Sequence, residues 1–385
     1  MRCLIQLLRG TFIGIALLIM AGPAWASEPD AAYYHDGPLA GSLKSDKPLP
    51  IYVENSDHLW NRLFAAFYMR PSNLPSVKGG KRIQRIEGGD VIDFYGWSKT
   101  TYWSEPVVTA RLNRLLDEYL EQGGSAMIDD RLRRSVLLRD MWAAYDYFIG
   151  QNIRRKGTVS DRATRDVLCR KLARVIRSLA LPNQAIGMLP DTYAKALASG
   201  QFNTATPLNP KQNYLPTGLL TKPDEWVEID FFQPDIHEDL SNRFITLHTR
   251  SYRARSYFRI FYRFPEGRQQ LVQYLKLLDQ EGIDWKRAAQ NGFIFLKKDA
   301  PQIPVGTEVA LVQFMMALNR ELQPTPTRIV ESIRMRNYVS TDGSEKEVTN
   351  TGHGMNVMEY TLKRQLLFDN LRAGGLRREP DNEEL

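Results

Sequence analysis

The spacing of the apolar residues changes near residue 200, and this change limits the folds that the chain can adopt. In the first part, apolar residues recur three or four positions apart, as Leu112, Leu115, Leu116, Tyr119 and Leu120 do. That spacing is typical of one face of a helix. Beyond residue 225, segments such as EWVEIDFF and EVALVQFMMAL alternate with a period of two and are rich in β-branched and aromatic residues, which is typical of strands. Helices followed by strands predict an α+β fold, with a helical N-terminal half and an antiparallel sheet with packed helices.

The first 26 residues have the pattern of a secretory signal peptide. Two arginines precede an apolar run at 11–20, and Ala24-Trp25-Ala26 forms a small-residue cleavage signature. We therefore expect an exported protein, periplasmic or secreted, without a transmembrane segment after the signal. The remaining predicted segments are an extended arm at 27–54, a mainly helical domain at 55–200, a linker or long loop at 201–224, an α+β domain at 225–375 and a flexible tail at 376–385.

Local patterns predict three further elements. The glycine-punctuated stretch 76–103 indicates a short hairpin. Leucines at helical spacing indicate a helix at 269–280, and a similar spacing of apolar residues indicates a second helix at 357–371.

Basic residues are concentrated at 131–177, where 13 Lys and Arg stand against four Asp, in a chain of net charge +7. Arg170, Arg174 and Arg177 fall on the polar side of a predicted helix. Such a stripe attracts an anionic polymer, a membrane surface or an acidic protein, or it is simply a solvated helix face. The sequence leaves both interpretations open.

The segment SYRARSYFRIFYRF, residues 251–264, interleaves arginines with rings more densely than any other part of the chain. In a strand, alternate residues point to opposite faces. The odd-numbered face then carries Arg253, Arg255, Tyr257, Arg259, Phe261 and Arg263, which we call the arginine strand. We expect the apolar even-numbered face to pack on the core and the arginine strand to face water, where it would bind a polyanion. The alternative is that these arginines pair with carboxylates of neighbouring strands, Glu228 among them.

Signatures of the common hydrolases and nucleotide-binding proteins are absent from the sequence. It contains no His-Glu-x-x-His, no Gly-x-Ser-x-Gly and no phosphate-binding loop motif, and no signature names a cofactor. A weaker pattern is a short stretch of sequence that contains His237, Glu238, Asp239 and His248. Their side chains are of the types that bind zinc or another divalent ion. His353 between two glycines is either a general base or, with Met355 and Met358, a ligand for Cu(I).

These observations favour an exported envelope protein with a non-catalytic binding or assembly role. Its anionic partner would contact the arginine strand and the stripe formed by Arg170, Arg174 and Arg177. The alternative is an exported metal-dependent hydrolase in which His237, His248 and His353 converge. The two hypotheses differ in whether the guanidinium groups face water and whether the imidazoles meet.

Overall fold

The computed structural model describes residues 50–68, 106–154, 162–204, 212–229, 255–291, 295–340 and 354–379, with the strand segments 34–35, 70–71, 76–78, 81–87 and 246–247. The α-helices are α1 (Leu59–Tyr68), α2 (Pro106–Glu121), α3 (Arg131–Arg154), α4 (Arg162–Leu179), α5 (Asn183–Gly187), α6 (Thr192–Ala198), α7 (Arg268–Leu277), α8 (Trp285–Asn291) and α9 (Arg364–Phe368). Two 3₁₀ turns, at Gly124–Ala126 and Arg372–Gly375, and one π-helical turn, at Leu278–Gly282, complete the helical elements in this part of the chain. The strands are β1 (Tyr34–His35), β2 (Arg70–Pro71), β3 (Ser76–Lys78), β4 (Lys81–Glu87), β5 (Val227–Ile229), β6 (Thr246–Leu247), β7 (Ser256–Arg263), β8 (Glu308–Leu318), β9 (Pro324–Tyr338), β10 (Met355–Leu362) and β11 (Leu376–Arg378).

The first half is a layer of helices that pack through their apolar faces. In α4, Leu168, Leu172 and Val175 are buried, and the opposite side of the helix is exposed. α2 ends before Gly123, which adopts a positive φ of 64° that favours glycine. Across the described ranges, no helix combines the length and apolarity needed to cross a bilayer.

The second half is built on one antiparallel sheet with the strand order β11-β10-β9-β8-β7-β5, and β6 pairs in addition with β7. Helices come first and the antiparallel sheet follows, so the predicted α+β class is confirmed. The predicted hairpin near residue 76 contains β3 paired with β4, which in turn pairs with β1 and β2. The predicted helix at 269–280 corresponds to α7 and the π-helical turn that follows it.

A single large core joins the helical layer to one face of this sheet. It contains Trp60 and Phe64 of α1 together with Phe314 of β8 and Met335 of β9. The predicted linker at 201–224 contributes Phe202, Tyr214, Leu215 and Leu219 to the same core. A second, smaller core of Val227, Ile229, Phe264 and Leu271 lies where α7 packs near the sheet edge formed by β5.

The predicted helix at 357–371 was wrong. Residues 355–362 form β10, which pairs with β9 from Met355 opposite Tyr338 to Thr361 opposite Ser332, and the helix α9 occupies only Arg364–Phe368. Burial alternates along β10, with Met358, Tyr360 and Leu362 inside. Because positions i and i+4 lie on the same side of both a helix and a strand, Met358 and Leu362 satisfied both patterns.

Candidate binding surfaces

The stripe on α4 faces outward. Arg170, Arg174 and Arg177 are exposed, as their spacing predicts, and none of the three forms an ion pair with a carboxylate of the described residues. Their neighbours on the same helix do pair, because Arg165 contacts Asp166 at 3.3 Å and Lys171 contacts Asp117 at 2.7 Å. The three guanidinium groups therefore form a row of charge that the described carboxylates do not neutralise.

Hydrogen bonds from α3 stabilise the C-terminal end of α4, which carries part of this row. The guanidinium group of Arg134 on α3 donates to the carbonyl oxygens of Ser178 at 2.6 Å and Leu179 at 3.0 Å. These carbonyls belong to the last turn, which leaves its acceptors without intrahelical donors. Arg177 lies in the same turn, where the helix dipole favours a cation.

The expectation that the arginine strand faces water was wrong. Tyr257 and Phe261 are buried in the large core, and Arg255 is 1% exposed and pairs with Asp146 of α3. The physical reason is that the helical layer covers the odd-numbered face of β7. The apolar even-numbered residues, which we expected inside, are only half-buried at positions 258, 260 and 262.

The other two described arginines of the arginine strand, Arg259 and Arg263, are paired as well. Arg259 binds Glu228 through two bonds, Nε to Oε1 at 2.9 Å and Nη2 to Oε2 at 2.8 Å. Arg263 contacts Glu308 at 2.5 Å and Glu225 at 3.4 Å. Each of the two side chains is 18% exposed. Pairing with neighbouring carboxylates is therefore what the structure shows at positions 255, 259 and 263, whereas Arg253 lies outside the described residues.

A buried polar network between α3 and the sheet was missed by the sequence analysis. Arg139 is fully buried and contacts Glu331 at 3.0 Å and the hydroxyl oxygen of Ser256 at 2.8 Å. The Ser256 hydroxyl donates to Glu331 at 2.5 Å, and the Gln313 amide donates to the same carboxylate at 2.9 Å. The signal was present in VLLRDMWAAY, because a charged Arg-Asp pair between apolar residues indicates buried partners.

Asp140, which follows Arg139 on α3, connects this helix to two other segments. It contacts Arg364 of α9 at 2.5 Å and accepts a hydrogen bond from the hydroxyl of Tyr52, and both charged side chains are fully buried. Burial, followed by the charge of Asp140, raises the pKa of Tyr52 well above its ordinary value, so this phenol remains a donor. The Arg364 guanidinium also lies 4.4 Å from the centre of the Phe64 ring.

The candidate metal ligands fall largely outside the described part of the chain. His237, Glu238, Asp239, His248 and His353 all lie outside it, so their convergence stays a prediction. Met358 is 1% exposed, and its sulfur lies 2.5 Å from the Tyr360 hydroxyl. Among the residues that the structure does describe, no three His, Cys, Asp or Glu side chains are grouped so as to hold a metal ion.

No family model, curated protein or solved structure shows a significant match to this chain. The interpretation of the surfaces therefore depends on their own geometry and charge.

Proposed function

We propose that the protein is an exported, non-catalytic binding or assembly protein that docks on a linear anionic polymer through α4. The observation that supports this is the contrast between two sets of arginines. Arg255, Arg259 and Arg263 each contact a carboxylate. Arg170, Arg174 and Arg177 are exposed and form no such pair within the described ranges. Cations that are not neutralised inside the molecule remain available to a partner.

The spacing of the α4 row favours a linear polymer over a membrane. A helix rises about 1.5 Å per residue, so the three positions extend over about 10 Å along the helix axis. Successive charges lie about 6 Å and about 4.5 Å apart along that axis, close to the spacing of charged groups on an extended chain. Ala173 is the exposed apolar residue within the row, and it is too small to insert into a bilayer as an anchor.

Binding to a fluorescent single-stranded oligodeoxythymidine, measured over a range of salt concentrations, tests the proposal. We expect log affinity to fall linearly with log salt, because bound counterions are released. The triple variant Arg170→Ala, Arg174→Ala, Arg177→Ala should lower the magnitude of that slope by about 2. Anionic phospholipid vesicles form the comparison arm, and vesicle binding without oligonucleotide binding would replace the polymer with a membrane.

A matched control removes the same charge elsewhere. Lys276, Lys297 and Lys298 are exposed in the second half of the chain. The variant Lys276→Ala, Lys297→Ala, Lys298→Ala should keep the slope of the unmodified protein within about one unit, as expected for charges that do not contact the polymer. If both variants lowered the slope by the same amount, binding would depend on net charge alone, which would contradict a site on α4.

A further inference from the structure

The methionine side chains of the described residues differ sharply in exposure. Five of them are at most 2% exposed: Met141, Met315, Met316, Met335 and Met358. Met355 is half-buried. Met188 is 63% exposed and Met127 is 37% exposed. An exposed thioether is accessible to oxidants in the solvent, whereas a buried one is protected by the core around it.

Met188 has a cation beside its sulfur. Met188 is the C-cap of α5, and its Sδ atom lies 3.5 Å from the Nη1 atom of Arg131, the first residue of α3. Arg131 is exposed and forms no ion pair within the described ranges, where its neighbour Asp130 pairs with Arg133 instead. A thioether sulfur is only a weak acceptor. The Arg131 guanidinium therefore faces an atom that gives it little in the reduced protein.

Oxidation replaces this weak acceptor with a stronger one. A peroxide transfers one oxygen atom to the thioether: the O–O bond breaks, an S–O bond forms, sulfur loses two electrons, and hydrogen peroxide leaves as water. The new oxygen carries partial negative charge and is bonded to the atom that lies 3.5 Å from Arg131 Nη1. A hydrogen bond from a guanidinium group to this oxygen is charge-assisted, which makes it stronger than a bond between neutral groups.

Arg131 lies at the end of α3 where a cation is unfavourable. α3 runs from Arg131 to Arg154, and the N-terminal end of a helix carries partial positive charge. An oxygen with partial negative charge at this end offsets part of that repulsion. Because the Met188 side chain is 63% exposed, making it polar disturbs no core packing. Oxidation at this position therefore improves the local electrostatics without a loss inside the protein.

We infer that Met188 is an oxidative modification site, and that Arg131 binds the methionine sulfoxide formed there by a peroxide. A sulfoxide inside a core disrupts packing. The sulfoxide at position 188 instead gains a hydrogen bond that connects the end of α5 to the start of α3. This site is separate from Arg170, Arg174 and Arg177 of α4, and it goes beyond the proposed polymer binding.

Peptide mapping by mass spectrometry, after graded treatment of the purified protein with hydrogen peroxide, measures where oxidation occurs. We expect Met188 to be oxidised at least about fivefold faster than the five buried methionines, because exposure governs access of the peroxide. The same treatment in concentrated urea should remove this difference, since unfolding exposes every thioether. A Met188 rate equal to that of the buried methionines in the folded protein would overturn the inference.

Thermal unfolding before and after limited oxidation tests the role of Arg131. The change in Tm should be more positive in the unmodified protein than in Met188→Leu, by about 1–2 °C, as expected for one added surface hydrogen bond. In Arg131→Ala the change should match that of Met188→Leu, because the sulfoxide has lost its donor.

Met127→Leu is the matched control. Met127 is also exposed, and no guanidinium group of the described residues lies within hydrogen-bond distance of its sulfur. This variant should respond to oxidation as the unmodified protein does. The same change in Tm in the unmodified protein and in Arg131→Ala would contradict binding of the sulfoxide by Arg131. That result would leave the salt-dependent binding through α4 unaffected.

Discussion

Arg259 of β7 and Glu228 of β5 form a bidentate ion pair, with two nitrogen–oxygen distances of 2.9 and 2.8 Å. Glu228 is 9% exposed, so its carboxylate depends on this partner. The pair balances the charge of Arg259 inside the sheet. Arg255, Arg259 and Arg263 therefore contact carboxylates of the protein, whereas Arg170, Arg174 and Arg177 on α4 form no such pair among the described residues.

We expect Arg259→Ala to lower the free energy of unfolding by about 2 kcal/mol, because it removes both hydrogen bonds that Arg259 donates to the mostly buried Glu228 carboxylate. Urea denaturation of Arg259→Ala, Glu228→Gln and the double variant measures the coupling between the two residues. The double variant should be more stable than the sum of the single effects predicts. A strictly additive result would show that the pair contributes nothing, and a loss of polymer binding without a loss of stability would return the strand to a binding role.

Asp140→Asn should be among the most destabilising single changes in α3. It removes the negative charge that the fully buried Arg364 guanidinium contacts, a loss of about 3–5 kcal/mol. Asp130→Asn is the control, because Asp130 pairs with Arg133 at 2.6 Å in a position where about a third of each side chain is exposed. That change should cost less than about 1 kcal/mol. Equal urea midpoints for the two variants would contradict a structural role for Asp140.

Alkaline pH should destabilise the protein through its buried tyrosines. Burial raises the pKa of Tyr257 to about 12, whereas an unfolded tyrosine titrates near about 10. Between these values the unfolded state binds fewer protons, so stability is fully present below pH of about 10 and falls as pH rises, by up to about 1.4 kcal/mol per pH unit for this residue. Tyr257→Phe keeps the ring stacked on Phe314 and should flatten the decline. Urea denaturation at pH values from 9.5 to 11.5, a window of about two units around the unfolded pKa, measures how the free energy of unfolding changes with pH. The same slope in Tyr257→Phe and in the unmodified protein would show that Tyr257 does not cause the decline.

Gly374→Ala should destabilise the protein much more than Gly200→Ala. Both glycines have positive φ, 62° and 69°, so both replacements carry the left-handed backbone penalty of about 1 kcal/mol. At Gly374 an added Cβ would also overlap the Thr192 carbonyl oxygen and lie 2.7 Å from the Ala196 nitrogen, whereas at Gly200 nothing lies within 4 Å. Thermal unfolding of the two variants separates the steric effect from the backbone effect. Similar Tm values for both would show that the 372–375 turn can move away from α6.

The expected signal peptide gives a prediction about processing. Expression of the full sequence in a bacterium with a general secretory pathway should yield a periplasmic protein whose first residue is Ser27, because Ala24-Trp25-Ala26 forms the cleavage signature. Amino-terminal sequencing of the periplasmic fraction measures this. Replacing Ala24 and Ala26 with larger residues should retain the precursor. Recovery of an unprocessed protein in the cytoplasm would contradict the expected export.

The order of helices and strands could be predicted because each period repeats over many residues, as in α4 and β8. Which face of β7 is covered could not be predicted, because alternation separates two faces without identifying the one that meets the helical layer. The apolar residues at 258, 260 and 262 suggested the wrong face. The alignment of three buried polar residues across the sheet could not be predicted either, since Glu308, Asn337 and Asn356 are far apart in sequence and meet only through the strand register. Arg139 and Asp140 could have been recognised from their apolar surroundings.

The large core contains side chains from Ile51 to Leu376, including Tyr214 between the two halves. During synthesis, the first helices emerge long before strands β8 to β11, which complete the core that these helices share. A truncated product that ends before β11 lacks part of its hydrophobic core. For nearly the whole time of its translation, the chain would therefore be incompletely folded and accessible to chaperones and proteases.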